Sequence, residues 1–382
     1  MRGIMQGDAD LVTGATGFVG AALVLELLRR GSGSIVALVR PGRESAAERL
    51  SRALTAAAVA YGAPELVGAI ERRCVAVEGD VTRPGCGAPA LPSRRYQRFW
   101  HSAASLAFED RYAAEIRAVN VDGTQNALAL AARAGVVEAF NYVSTAYVAG
   151  AREGLVGAAA VVDARPNNLY EASKIEAEAA VAAERRFYAR ILRPSIVIGH
   201  SETLAATTFS GMYGFLRRLY TFRRLMDRTE RGLLAARPLR ICGDPAAPLD
   251  LVTIDQVAGE LAGIGLSGAQ GAGGCSYFHV NQARPPTVGE VIGGMAEALE
   301  MAPPRWVEDA SELEWIDEKF NDRIDFYRSY LRGRKRFDRA GTDVLVGAPA
   351  RSMAVDLPGL RRHYGWYLAR LEAERAGIPS SR

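Results

Sequence analysis

The sequence predicts an α/β protein: a doubly wound parallel sheet followed by a smaller, mostly helical C-terminal lobe. Three observations predict it. Short apolar runs alternate with amphipathic helical patterns through the first 200 residues, as strand–helix–strand units covered on both faces do. A glycine-rich turn follows the first run and opens a helix. Near Gly199 the rhythm gives way to longer helical stretches rich in arginine and aromatic residues.

In chain order, strands are expected at 10–13, 34–39, 74–77, 98–101, 139–144 and 190–192, with helices at 19–30, 111–134 and 170–186 between them. The right-handed crossover rule turns that series into an open sheet wound in both directions from its middle. Beyond it, 201–237 reads as a long helical stretch, 249–254 as a strand and 255–264 as a short helix. The glycine-rich segment 265–274 reads as a loop, 276–280 as an extended run, and 287–301 as a helix stopped by Pro303-Pro304. Residues 1–200 are therefore expected to form the cofactor domain, with 247–265 returning to it, and 201–382 the substrate-binding lobe.

Composition narrows the function. Over 382 residues, 47 Lys+Arg against 43 Asp+Glu leave a net charge of +4, too weak a footprint for nucleic acid. No run of 18 apolar residues predicts a membrane span, and Met1 to Asp10 lack a leader's apolar core, so a cytoplasmic protein is expected. Four scattered cysteines and four separated histidines give neither a disulfide frame nor a metal-ligand spacing. Only Lys174, Lys319 and Lys335 are lysines; the other 44 basic residues are arginines.

The turn is Thr13-Gly14-Ala15-Thr16-Gly17-Phe18-Val19-Gly20. Gly14 permits the tight turn, Gly17 lets backbone approach a pyrophosphate and Gly20 allows close helix–sheet packing, the logic of a Rossmann dinucleotide site. NAD enzymes place a carboxylate at the end of the second strand; here stand Arg40 and, close behind, Arg43. A guanidinium suits a 2′-phosphate, so NADP(H) is expected over NAD(H).

Lys174 lies four residues after Tyr170, one helical turn away on the same face. An ammonium there is expected to lower the phenol pKa and ready it for proton transfer to a carbonyl oxygen. Thr145, with Ser144 beside it, ends the fifth predicted strand, where a side chain faces the ligand crevice.

These blocks resemble the extended short-chain dehydrogenases/reductases. The resemblance rests on Thr13–Gly20, Gly79-Asp80-Val81, His101-Ser102-Ala103-Ala104, Asn120 to Thr124, Thr145, Tyr170/Lys174 and Arg193-Pro194-Ser195, all in family order over residues 10–200. It implies that Thr145, Tyr170 and Lys174 are catalytic, supported by Asn120. It further implies that Asp80 and Val81 approach the adenine, that Ser102, Ala103 and Ala104 line the cofactor path, and that Pro194 and Ser195 lie beside the nicotinamide.

Within that family the sequence is most similar to thioester reductase domains and fatty acyl-CoA reductases, through Leu38-Val39-Arg40, Pro166 to Tyr170, Leu249 to Asp255 and Tyr277 to Val280. This resemblance implies NADPH-dependent reduction of a CoA- or carrier-bound acyl thioester to aldehyde or alcohol. Three other readings stand beside it: a ketoreductase acting on a secondary-metabolite or other small-molecule ketone, a sugar-nucleotide epimerase or dehydratase, and a non-catalytic NADP(H)-sensing protein. Arg40 speaks against the epimerase, which retains tightly bound NAD, and the Thr145/Tyr170/Lys174 set against the sensor. The sequence leaves the oligomeric state open; a homodimer pairing helices 111–134 and 170–186, as family members often form, is one assembly the resemblance allows.

Two features of the lobe each have two readings. The basic run Arg332, Arg334, Lys335, Arg336 and Arg339 is either a docking face for a CoA phosphate or acidic carrier, or a solvated surface. The apolar face of Met212, Tyr213, Phe215, Leu216, Leu219, Tyr220 and Phe222 either lines a substrate slot or packs a core. His200 is expected to be structural.

Overall fold

The computed structural model describes residues 7–31, 33–88, 90–107, 109–268, 273–349 and 355–377. The expectations for the N-terminal ten residues and for the 265–274 loop therefore fall partly outside the described residues, at 1–6 and 269–272.

The first half alternates as expected: β1 (Asp8–Thr13), α1 (Phe18–Arg30), β2 (Ser34–Val39), α2 (Ala46–Ala60), α3 (Val67–Arg73), β3 (Cys74–Glu78) and β4 (Arg95–His101). There follow α4 (Ala113–Ile116), α5 (Gly123–Ala134), β5 (Ala139–Val143), β6 (Gly154–Val156), α6 (Leu169–Ala183), β7 (Tyr188–Pro194) and β8 (Ile196–Ile198). The second half holds α7 (Gly211–Thr229), α8 (Leu233–Ala236), β9 (Arg240–Cys242), β10 (Leu251–Thr253), α9 (Ile254–Leu266) and β11 (Cys275–Val280). It ends with α10 (Val288–Ala298), β12 (Arg305–Val307), α11 (Trp315–Ile324), β13 (Lys335–Phe337), α12 (Ala340–Val346) and α13 (Leu357–Arg375).

Seven strands form one parallel sheet in the order β11-β7-β5-β4-β1-β2-β3. Strand order reverses between β1 and β4, whose ends Thr13 and His101 lie side by side. That reversal opens a crevice at the strands' carboxyl ends. On one face, α1, α2 and α9 share a core with Trp100, Val252 and Val280. The opposite face packs Ala127, Leu130 and Ala131 of α5 and Ala177 and Val181 of α6 against the sheet. A third core joins α7, α10 and α13 in the lobe.

Three elements differ from expectation. Helix α2 is capped by a reciprocal Ser45–Glu48 box, a signal its alanine-rich, weakly patterned sequence obscured. The helix expected at 111–134 is continuous but unevenly wound: a 3₁₀ turn and α4 lead into a wide π turn at Arg117–Asp122, which runs on into α5. The stretch 201–237 is helical only at Gly211–Thr229 and Leu233–Ala236.

Helix α6 is tied to the sheet by a buried ion pair. Arg193 Nε and Nη2 of β7 donate to the two Glu178 oxygens at 2.9 and 2.6 Å, and the guanidinium lies 4.8 Å from the Tyr277 ring of β11. Both charges are almost fully enclosed, so each depends on the other. Arg193→Met, which strands the Glu178 carboxylate, is expected to lower unfolding free energy by about 3–5 kcal/mol in urea titrations. The double variant Glu178→Leu/Arg193→Met should recover most of that loss; equal destabilisation by both would contradict the pairing.

Candidate active site

A cavity of about 330 Å³ lies at the strand-order reversal, walled on one side by the glycine turn and the ends of β4, β5 and β7 and on the other by the lobe. Within the turn, Gly14 has φ +77°, and a Cβ there would come within 2.6 Å of Ala103 N. A Cβ on Gly20 would lie 2.1 Å from the Gly14 carbonyl oxygen, so only glycine lets the first turn of α1 cross the loop this closely. Gly17 is the N-cap of α1 and no side chain caps it, leaving first-turn N–H groups for an anion. A Cβ at Gly17 would meet only the Gly14 carbonyl oxygen, at 3.3 Å. The cradle fits a dinucleotide pyrophosphate.

The chemistry-bearing residues converge on the same space. Thr145 sits just beyond β5 in an extended conformation, and its hydroxyl and the Tyr170 phenol are hydrogen-bonded. Tyr170 and Lys174 both line the cavity from α6, as do Ser102, Ala104, Ser144, Pro194 and Ser195 from the sheet side. Ser144 Oγ is buried and makes no hydrogen bond among the described residues.

The electrostatics correct the expectation for Tyr170. Burial raises its phenol well above the ordinary tyrosine range, the Glu171 carboxylate pushes the same way, and the Thr145 hydroxyl only partly opposes them. The phenol is thus held protonated rather than readied as phenolate. Lys174 explains why: its Nζ donates to Tyr142 Oη at 3.0 Å and Val143 O at 2.8 Å, one strand residue below the Thr145 end. Burial lowers that ammonium to about 7, with Glu178 opposing the shift.

Asn120 occupies the π turn, off the cavity wall. It accepts from Ser105 N at 2.8 Å and donates to Ser105 O at 3.1 Å and Ser173 Oγ at 2.9 Å. Ser173 in turn donates to Tyr170 O at 2.7 Å, so Asn120 steadies α6 through its backbone. His101 is enclosed between Thr13 Oγ1 at 2.6 Å and Thr124 Oγ1 at 3.1 Å; burial and the nearby Lys174 hold it down to about 3, hence neutral.

At the other end of the crevice, Thr16, Arg40 and Arg43 are exposed and stand off the cavity wall. Asp80 accepts from Thr82 N at 2.9 Å and Thr82 Oγ1 at 2.8 Å. Burial raises its pKa, but those bonds and the nearby Arg40 and Arg83 hold it below the usual range. Val81 is buried, its carbonyl accepting from Asn126 at 2.8 Å.

Other expectations resolve residue by residue. Lys335 and Arg339 are buried: Lys335 donates to Gly150 O, and Arg339 pairs with Glu260 at 3.0 Å. Residues 335–337 form β13 beside β6, so the run is not one continuous face: Arg332, Arg334 and Arg336 are solvated and the other two lie inside. Of the 212–222 face, Met212 and Phe215 line the cavity. Tyr213, Leu216, Leu219 and Phe222 are core, and the Tyr220 hydroxyl donates to Glu372. His200 Nδ1 accepts from Glu202 N at 3.2 Å, a structural role. The four cysteines are unbridged. Sequence reasoning missed Tyr142 as the lysine's partner, and missed Tyr147, Phe326, Tyr327 and Tyr330 on the wall. Tyr142 and Tyr147 stand three residues before and two residues after Thr145; Phe326, Tyr327 and Tyr330 come from a tail without a recognisable motif.

The seven-stranded parallel sheet with this glycine cradle at its strand-order reversal defines a Rossmann fold with a dinucleotide-binding turn. The profile of an NAD-binding family described as "Male sterility protein" matches residues 12–258, and the chain belongs to that family. It is similar to a linear gramicidin synthase of Brevibacillus parabrevis, 32% identical over 211 residues, 52% of this chain and 4% of that protein. It is also similar to the chloroplastic fatty acyl-CoA reductase 2 of Arabidopsis thaliana, 28% identical over 164 residues, 40% of this chain and 26% of that one. The chain thus spans about a quarter or less of the length of these curated relatives. Among solved structures, the terminal R domain of the myxalamid PKS-NRPS pathway superposes with a TM-score of 0.72 at 24% identity, covering 100% of this chain and 93% of that one, a likeness of fold. Among the described residues no helix is long and apolar enough to cross a membrane.

Lys174 gives the site a pH signature. An unfolded lysine titrates near 10.5, so between about pH 7 and pH 10 the unfolded chain holds a proton the folded chain has released. Stability therefore rises with pH across that window, by up to about 1.4 kcal/mol per unit for one group. Lys174→Met should flatten the rise in urea midpoints between pH 7 and 9.5; an unchanged slope would contradict the buried amine.

Proposed function

We propose that this chain is an NADPH-dependent reductase of an acyl thioester, delivered on CoA or on a carrier protein and taken to the aldehyde or alcohol. The observation that carries the reading is the convergence of the glycine cradle, Thr145, Tyr170 and Lys174 on one cavity whose far wall is an apolar lobe. Membership in the family, the name of the Arabidopsis relative as a fatty acyl-CoA reductase and the R-domain likeness support it. Residues 1–200, with 247–265, are proposed to hold the dinucleotide, and 201–382 to receive the substrate.

NADPH, when bound, would supply the hydride taken up at the acyl carbon. The pyrophosphate would rest on Gly14, Gly17 and the first turn of α1, Ser102 and Ala104 would line the cofactor path, and Pro194 and Ser195 would lie beside the nicotinamide. Tyr170, held protonated by burial, donates its proton to the acyl oxygen as negative charge develops there. Thr145, already bonded to the phenol, orients that oxygen, and the unpartnered Ser144 hydroxyl supplies a second donor. Lys174, held on Tyr142 Oη and Val143 O, fixes α6 against the end of β5. The resulting hemithioacetal expels its thiol to leave the aldehyde. Arg40 and Arg43, exposed at the end of β2, are proposed to meet the 2′-phosphate.

NADPH oxidation measured with acyl-CoA, acyl-pantetheine, a polycyclic ketone and a nucleotide sugar tests the reading; turnover confined to the ketone would overturn it. Tyr170→Phe should lower kcat by about 10²–10⁴-fold at unchanged fold, and activity near wild type would exclude the tyrosine as acid. Arg40→Ala should raise the KM for NADPH about tenfold while sparing NADH; an unaltered preference would remove the 2′-phosphate assignment.

A further inference from the structure

The backbone from Pro194 to Ile196 has no N–H left for a ligand. Pro194 carries none. Ser195 N donates to Val280 O at 3.0 Å and Ile196 N to Asp250 O at 3.2 Å. The Ser195 hydroxyl lies on the cavity wall, and its proton is taken as well: Oγ donates to Asp250 Oδ1 at 2.6 Å.

The direction of that bond is set from behind the wall. Gln282 N donates to the same Oδ1 at 3.1 Å, and Asn281 Nδ2 donates to Oδ2 at 3.4 Å. A backbone N–H and an amide nitrogen can only give protons, so the Asp250 carboxyl accepts on both oxygens. Asp250 is buried, while Leu249 and Leu251 on either side of it line the cavity. Its neighbours are braced in turn. Gln282 Nε2 donates to Gln256 Oε1 at 2.6 Å, Gln256 Nε2 to Glu260 Oε1 at 2.9 Å, and Arg339 to the same Glu260 oxygen at 3.0 Å.

At Ser195 the cavity therefore meets lone pairs without a proton. The free donors of the cavity belong to Ser144, Thr145, Tyr170 and Lys174, from the end of β5 and from α6. A ring substituent that donates suits the Ser195 wall, and one that only accepts leaves two acceptors face to face. On a nicotinamide the donor is the carboxamide N–H2.

We propose that Asp250 is a positioning residue for the nicotinamide. By drawing the Ser195 proton away from the cavity, it makes that hydroxyl the acceptor of the carboxamide N–H2 and fixes which way the ring lies. This rests on the placement of the nicotinamide beside Ser195 in the reductase reading, and equilibrium binding tests it apart from catalysis. Calorimetry on the full chain would compare NADP⁺ with two analogues altered only at the ring substituent. In the 3-acetylpyridine analogue a methyl replaces the amide nitrogen; in the nicotinic acid analogue a carboxylate replaces the amide. Wild type should bind NADP⁺ about tenfold more tightly than the acetylpyridine form, the ratio one hydrogen bond sets, and should disfavour the acid further. The same series built on NAD⁺ should give the same ratios, because the 2′-phosphate lies at the far end of the cofactor.

Ser195→Ala should bring the acetylpyridine ratio to within about twofold of unity. Asp250→Leu, which frees the Ser195 proton for the cavity, should do the same with the serine still present. Asp250→Asn keeps an oxygen for Ser195 and Gln282 and removes the negative charge. It should hold the acetylpyridine ratio and improve binding of the acid about threefold or more relative to NADP⁺; this variant decides the part of Asp250 should the leucine variant not fold. Equal wild-type affinity for NADP⁺ and the acetylpyridine form, a ratio unmoved in Ser195→Ala, or acid binding unmoved in Asp250→Asn overturns the proposal. Ring discrimination without reduction of any thioester upholds it and overturns the reductase reading. Failure to bind either dinucleotide overturns both.

Discussion

The site depends on how α6 is held to the sheet. Glu178, one turn after Lys174, makes two charge-assisted bonds to Arg193 inside the protein, and the same carboxylate favours the charged form of Lys174. One residue thereby secures the helix to β7 and biases the lysine toward its cation. The cost of enclosing an ion pair is large and is offset only by tight geometry. With α6 so placed, Tyr170 can reach Thr145, and the Lys174 ammonium ends against the carbonyl of Val143. From the other side Asn120 reaches Ser173 and, through it, the Tyr170 carbonyl. The wide π turn that carries Asn120 interrupts an otherwise good helix, and such turns collect where a side chain must be aimed.

The lobe supplies what the sheet lacks. The sheet side of the cavity brings the Ser144, Thr145 and Tyr170 hydroxyls and the Lys174 amine; the lobe brings mostly apolar bulk. The two are joined through buried polar links rather than by contact of surfaces alone. Asp250 accepts from Ser195 Oγ at 2.6 Å and Gln282 N at 3.1 Å. Arg339 then ties Asn281 O to Glu260. Burial lifts Asp250 to about 6 against three hydrogen bonds that favour its carboxylate, so those donors hold it charged at neutral pH. The chain of bonds runs from Ser195 on the cavity wall to the end of β13, and it accounts for the burial of Arg339 in a basic run.

Much of this was legible in the sequence because period and punctuation carry it. β2 was read to the residue, since continuous apolar runs bounded by glycine or charge leave little freedom. The glycine turn, Thr145, Tyr170 and Lys174 were recoverable because each answers to a local geometric rule. What stayed hidden depends on long-range packing. The wide turn inside the helix at 111–134 leaves no mark on its amphipathic pattern; it carries Asn120, which bonds Ser105 and Ser173 far along the chain. The depressed phenol expected from helical spacing alone fails because spacing says which face a lysine shares, not which partner it takes. Tyr142 and Val143 claimed the ammonium first. The lobe wall at 326–331 follows no period at all and is defined by the sheet it covers.

The scarcity of lysine takes on meaning at the same level. Of the three, Lys319 is exposed, while Lys174 and Lys335 are buried, and both end on a backbone carbonyl, Val143 O and Gly150 O. A compact ammonium on a flexible stem can be threaded between packed rings to a single acceptor. A planar guanidinium needs a broader, two-sided set of partners, as Arg193 finds in Glu178 and the Tyr277 ring. Lys174 lies 4.5 Å from the Tyr142 ring centroid and Lys335 5.9 Å from that of Tyr147. These two tyrosines bracket Thr145 in sequence. Both buried lysines therefore brace the short segment that presents the Ser144 and Thr145 hydroxyls, one from α6 and one from β13. The geometry of the hydroxyl-bearing end of the cavity is set jointly by both halves of the chain.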